Sequence, residues 1–380
     1  MKIAFLDHSY HKKTNSTAFL AEMLKRAGHE VEYIWDDTWR GGSDIVFDDI
    51  VGKYDVFVIF QAIPVTSVPF SETGANITFV PMLDAFDSEY SLHLHLPRLK
   101  FFSGCKILCF SKHLASAYLS NGIAAKFYQY FPNAEEFRAT NQTTGLKGFF
   151  WARRPDQIDW RMIKQILEKT NIDSMHIHIN PDPGVNKVLI PHEDMHKFNI
   201  TVTNWFEDKK EYIEKVANSN IYFAPRYSEG IGMSFLEAMA MGKCVIAPNV
   251  GTMNEYIISG INGVLYDIDS DNNVKIIPEA LSLDYDSIQT MGQNARKSIE
   301  LGYQYWLSKE KELVEFITED LEVVYNAQFQ LSIEPPPAID SSLSCELLPP
   351  KATIYGRLRS KLKQYSIVRN IYFALKGAKK

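Results

Sequence analysis

Two carboxylates, Glu229 and Glu237, stand eight positions apart around the loop Gly230-Ile231-Gly232, and Met233-Ser234-Phe235-Leu236 lies between loop and second acid. Glycine lets backbone approach a ligand closely, and the amides of a helix start, at the positive end of its dipole, attract phosphate. If the helix begins near Met233, Glu229 sits on the loop and Glu237 in the first turns. One acid can then face a sugar ring and the other a ribose, a spacing that suits a sugar nucleotide. Taken alone, the same residues also make an amphipathic helix after a turn, with Phe235, Leu236, Met239 and Ala240 as core and Glu237 as a solvated acid complementing the dipole.

The flanking elements favour the chemical reading. Ser219 to Pro225 reads as a short buried strand leading into the loop, and Lys243 to Pro248 as the next, so strand, loop, helix and strand form a parallel βαβ unit. Gly242 stands where a glycine closes a helix. Asn249-Val250-Gly251-Thr252-Met253-Asn254-Glu255 supplies a second glycine-containing loop entering a short helix. A ligand would lie at the carboxyl ends of these strands. The order Glu, Gly-x-Gly, second Glu, Ala238-Met239-Ala240 and Gly242 resembles the donor-site signature of the family 4 retaining glycosyltransferases. The resemblance is tight over 219 to 266 and runs in order from residue 1 to about 325. It implies a nucleoside diphosphate sugar as donor, the Gly230, Ile231, Gly232 and Met233 backbone on sugar and diphosphate, Glu237 on the ribose hydroxyls, Glu229 as the catalytic carboxylate near the sugar ring, nucleophile or electrostatic partner, and Gly251 and Thr252 on the donor side.

The same resemblance places a Gly-Arg pair at the end of the second domain's first strand, with a Lys five residues later, on the donor diphosphate. Here Ala152 replaces the Gly, Arg153 matches the Arg and Ile158 stands in the Lys position. Arg153 is therefore assigned to the departing diphosphate. Arg154, Arg161 and Arg226 are candidates for the second cation, since a guanidinium grips a diphosphate bidentately; each could equally be a surface arginine. In the first domain the family's Gly-Gly loop is represented by His8 to Ser16, whose Thr14, Asn15 and Ser16 precede a helix and could meet phosphate or acceptor, and Asp84 stands about where the family carries a mid-domain His. No divalent metal or other cofactor is implied.

Around this site the chain must supply two cores, and 380 residues with 46% apolar and 23% charged composition can do so. Strand-helix alternation from Lys2 onward, lapsing near 132 to 148 and resuming at Gly148, predicts an α/β chain with two doubly wound sheets, and the family resemblance implies that these are two Rossmann-like domains facing a cleft, the GT-B architecture. The expected boundaries are 1–140 for an acceptor domain and 148–325 for the donor domain. A Pro/Ser-rich linker follows at 326–350 and a basic amphipathic tail at 351–380. That tail holds nine Lys or Arg and no acid, so the remaining residues carry 31 basic against 46 acidic groups. Such a body should repel nucleic acid, whereas the tail suits an anionic membrane surface. Four cysteines without a CxxC pair read as reduced, and with neither a signal-peptide core nor a membrane span the chain is expected in the cytoplasm, peripheral to the inner membrane face. The acceptor is expected to be a glycan or lipid-linked glycan in surface polysaccharide synthesis.

Three other groups imitate metal sites. His192-Glu193-Asp194-Met195-His196 matches HExxH, but Pro191 before it and a strand from Ile200 leave room for two helical turns at most. His176 and His178 alternate along a strand without a third ligand. Asp267 to Asn273 lacks the glycine and glutamate of a calcium loop and reads as an Asx-rich turn. Two alternative functions keep the same fold: a sugar-nucleotide epimerase, and a catalytically silent, membrane-associated homologue.

Overall fold

The computed structural model describes residues 1–85, 102, 104–137, 144–206 and 208–329, which lie within one compact unit, Met1–Leu331. The tail and nearly all of the expected linker lie outside the described residues.

The first sheet is built from β1 (Lys2–His8), β2 (Glu30–Asp36), β3 (Val56–Phe60), β4 (Ile77–Val80), β5 (Lys106–Cys109) and β6 (Ala125–Phe127). All pairings are parallel, in the order β2-β1-β3-β4-β5-β6. Its inner strands are mostly apolar and buried, Val56–Phe60 without a break, as strands covered on both faces require. Among the described residues its α-helices are α1 (His11–Thr14), α2 (Ala18–Arg26) and α3 (Lys112–Leu119).

The second sheet comprises β7 (Lys147–Trp151), β8 (Ser174–His178), β9 (Ile200–Thr203), β10 (Ile221–Phe223), β11 (Cys244–Pro248), β12 (Gly263–Ile268) and β13 (Val274–Ile277). The connecting helices are α4 (Trp160–Leu167), α5 (His192–Lys197), α6 (Lys209–Ala217), α7 (Met233–Ala240) and α8 (Met253–Tyr256). The order is β13-β12-β11-β10-β7-β8-β9, parallel except for the β12–β13 hairpin. Connections leave β7 toward one edge and β10 toward the other. The crevice between the carboxyl ends of these neighbours is a topological switch point, where open α/β sheets bind ligands.

The 34-residue α9 (Tyr285–Thr318) and α10 (Leu321–Phe329) return the chain to the first sheet. Trp306 meets Phe19 and Tyr130 with centroids 5.8 and 5.3 Å apart. Buried Lys106 of β5 donates to the carbonyl of Ile317 at 2.6 Å and to that of Glu319, satisfying acceptors at the end of α9.

Several sequence expectations are corrected. The stretch 286–299, which reads as a helix in sequence, continues helically to Thr318, passing through Gly302, where a Cβ would lie 2.2 Å from the Phe131 ring, so the glycine admits a close neighbour. Strands β6 and β13 were missed; each is short, at three and four residues. The expected linker start at 326 falls within α10. Ser111 does not cap α3 by itself. Its hydroxyl donates to Glu255 Oε1 at 2.9 Å, and Glu255 from the second sheet's side accepts the Lys112 amide at 2.9 and 3.0 Å. Thr17, at the head of α2, turns its hydroxyl to Asp7 Oδ2 at 2.8 Å.

Candidate active site

The chain leaves β10 through Pro225 and at once presents Arg226 and Glu229 at the switch point, with Arg153 arriving from the end of β7. Arg226 Nη1 lies 2.6 Å from Asp84 Oδ2 of the first domain and 3.7 Å from Glu229 Oε2. Arg153 Nε donates to Asp182 Oδ1 at 2.8 Å, and its guanidinium stands 5.2 Å from the Trp151 ring centroid. Glu229 is only 6% exposed. Burial pushes its carboxyl up to about 7, against the pull of Arg226 and Arg153. Asp84 Oδ1, Arg226 Nε, Ser228 Oγ and Glu229 Oε1 are all buried without a protein hydrogen-bond partner. A buried polar atom without a partner is costly, so four around one crevice mark a surface shaped for a polar ligand.

The helix start supplies the complementary charge. Gly232 heads α7 with φ +80°, where a Cβ would meet the Phe235 ring, and no side chain caps the helix. Its first amides point toward the crevice with the positive dipole end. Glu237 is buried rather than a solvated acid, and its charge is felt by the hydroxyls of Tyr130, Tyr212 and Tyr222. Ile231 and Met233 complete the loop, the first buried and the second half-buried.

A second loop braces the first. Thr252, fully buried at φ +76°, donates through Oγ1 to the Glu229 carbonyl at 2.6 Å. A β-branched residue at positive φ is strained, and here it fixes the backbone that carries Glu229. Gly230 and Gly251 let the first domain approach: a Cβ at 230 would lie 2.7 Å from Met82 Sδ, and one at 251 would lie 2.6 Å from Leu83 Cδ2.

The other expected residues are placed as follows. Arg154 is bound twice to Asp156, at 2.9 and 2.7 Å. Arg161 is bound to Asp159 at the head of α4 with its side chain 76% exposed. Ile158 is fully buried in the second core. Thr14, Asn15 and Ser16 form the turn between α1 and α2, Asn15 at φ +51° and the two hydroxyls bonded to each other. From that loop it is Tyr10 whose phenol lies within electrostatic reach of Arg153. Sequence reasoning missed Asp182, whose only signal was its place in the Asn180-Pro181-Asp182-Pro183-Gly184 turn after β8. It also missed the pair Asp7 and His11, bonded at 2.7 Å.

Asp7, His8 and His11 form the one group among the described residues with three ligand atoms within 4.8 Å of one another. They fit a metal poorly. Asp7 already accepts from the His8 amide at 2.8 Å, from the Thr17 hydroxyl, and pairs with His11. The HExxH segment is the six-residue α5, whose buried Asp194 accepts from Trp160 Nε1 at 2.7 Å and pairs with Lys164 at 2.8 Å, bonds of a structural kind. His176 and His178 bond Thr201 and Thr203 in the neighbouring strand, and burial pushes both down to about 4. Asp269 accepts from the amides of Asp271 and Asn273, an Asx turn joining β12 to β13.

Two doubly wound sheets with the ligand crevice at a switch point define the GT-B fold, and solved structures agree. Sucrose-phosphate synthase from Thermosynechococcus elongatus is 14% identical, covers 87% of this chain and 98% of its own, and has a TM-score of 0.54. A glycosyltransferase from Rickettsia africae is 16% identical over 84% of this chain and 98% of its own, with a TM-score of 0.54. HepE of Anabaena, solved in complex with UDP and glucose, is 13% identical over 87% of this chain and 99% of its own, with a TM-score of 0.51. In sequence, residues 187–298, the segment that holds Arg226, Glu229 and Glu237, match the family described as glycosyl transferases group 1. A 73-residue stretch is 37% identical to an uncharacterized glycosyltransferase of Methanocaldococcus jannaschii, covering 19% of this chain and 21% of that relative. The chain thus aligns with about a fifth of the length of the curated relative it matches.

Proposed function

We propose that the protein transfers a sugar, with retention of anomeric configuration, from a nucleoside diphosphate sugar to a glycan or lipid-linked acceptor, without a metal ion. The observation that carries this reading is the crevice cluster of Arg153, Arg226, Glu229 and Asp84 beside the uncapped start of α7, with four buried polar atoms that lack a protein partner. Transfer requires stabilisation of an oxocarbenium-like sugar and of a departing diphosphate. Glu229 stands for the first, Arg153 and the α7 amides for the second, and Glu237 for the ribose. That HepE was solved with UDP and glucose supports a nucleotide-sugar occupant for this fold. Among the described residues no helix is long and apolar enough to cross a membrane; we assign membrane contact to 351–380 on its charge and apolar stripe alone.

The test is thermal stabilisation by a panel of UDP-, GDP- and ADP-sugars, then transfer to a lipid-linked acceptor in EDTA, with the anomeric configuration of the product read by NMR. Stabilisation and retained configuration without added metal are expected. Failure of every nucleotide sugar to bind would defeat the reading. Binding without turnover would favour the silent homologue, which the apolar Ile158 also suits, and release of a free reducing sugar without acceptor would favour the epimerase.

A further inference from the structure

A diphosphate leaving a sugar carries more charge than one guanidinium and a helix start offset well, yet the position where the family resemblance expects a lysine holds Ile158, fully buried in the core. Two neighbouring arginines are committed to their own acids, Arg154 to Asp156 through two bonds and Arg161 to Asp159 at the exposed head of α4. Arg226 differs from both. Its side chain is 13% exposed, its Nε is buried without a partner, and it flanks the same Glu229 that Arg153 flanks from the end of the neighbouring strand β7. Glu229 stands farther from it, at 3.7 Å, than Asp84 does, and its carboxyl is pushed up by burial.

We propose that Arg226 is the second cation of the donor diphosphate site, and that Asp84 occupies its guanidinium until the phosphate takes that place. A carboxylate and a phosphate oxygen pair present the same edge to a guanidinium. Asp84 holds Arg226 by one oxygen at 2.6 Å and leaves the other unpartnered, a contact that a doubly charged diphosphate displaces. The residues beside Asp84 pack closely on Gly230 and Gly251, which holds Asp84 at the guanidinium. The inference rests on the donor reading above.

The experiment is calorimetric titration of UDP, GDP and ADP and of their monophosphates into wild type, Arg226→Gln, Arg226→Lys and Asp84→Asn, each checked for folding by circular dichroism. Loss of a charge-assisted hydrogen bond predicts that Arg226→Gln weakens the bound diphosphate by about 10- to 100-fold and its monophosphate by less than about 3-fold. Arg226→Lys should fall between, keeping charge but not the planar fork. Asp84→Asn should tighten the diphosphate by roughly 3- to 10-fold, since a competing charge is removed. Equal losses for both nucleotides, no loss in Arg226→Gln, or weaker diphosphate binding in Asp84→Asn would overturn the assignment while leaving the donor reading intact. If Arg226→Gln does not fold, the lysine and Asp84 variants decide. No binding of any nucleoside diphosphate to wild type removes the donor reading and this inference with it.

Discussion

Replacing Glu229 by glutamine converts its burial into a measurable stability difference. In the fold the carboxyl is pushed from 4.5 up to about 7, so the folded state holds its proton over a range where the unfolded chain has lost it. The sign is opposite to that of a salt-bridged carboxylate: stability from this group is present at low pH and is lost as pH rises from about 4.5 to about 7. At 1.36 kcal/mol per pH unit, ionising Glu229 at pH 8 costs the fold on the order of 3 kcal/mol, before solvent and structural relaxation reduce it. Glutamine carries no such cost and keeps the shape. Urea unfolding at pH 8 should therefore give a higher midpoint for Glu229→Gln than for wild type, and the two should converge near pH 4.5. Other titrating groups, including Lys106 and Lys243, both pushed down to about 7 by burial, cancel in the difference. Equal midpoints at pH 8, or a glutamine variant weaker there, would refute the claim that Glu229 is a buried acid lacking full compensation by Arg226 and Arg153.

Glu237→Ala should weaken nucleotide-sugar binding by about 1 to 3 kcal/mol, measured by titration; unchanged affinity in a folded variant rejects the ribose assignment. Glu255→Ala removes the carboxylate that accepts the Lys112 amide and Ser111 hydroxyl, and should cost about 1 to 2 kcal/mol in urea unfolding, as loss of a helix cap does. Deleting 351–380 should abolish salt-sensitive binding to anionic vesicles, where each basic side chain contributes on the order of 1 kcal/mol, with little change in melting temperature; a large fall in stability with vesicle binding retained would tie the tail to the fold.

Periodicity made the doubly wound sheets legible because buried parallel strands are continuous apolar runs and their helices carry an apolar stripe. The loop from Arg226 to Glu237 was legible because a ligand-binding turn into a helix needs glycines and charges at fixed spacing along one stretch of chain. Strands β6 and β13 lie at sheet edges and carry Lys126 and Lys275, which interrupt the apolar run, and α9 keeps Gly302 in its interior because Phe131, 171 positions upstream, packs against it. Asp84 was legible as a candidate site residue but not as the partner of Arg226, 142 positions away, and Asp182 drew no notice because its partner Arg153 is 29 positions away. The sequence by itself determined which segment could hold a sugar nucleotide. Only the tertiary structure decided which arginines face it, because an arginine's role is set by the acid it meets in space, and those acids arrive from other strands and from the other domain.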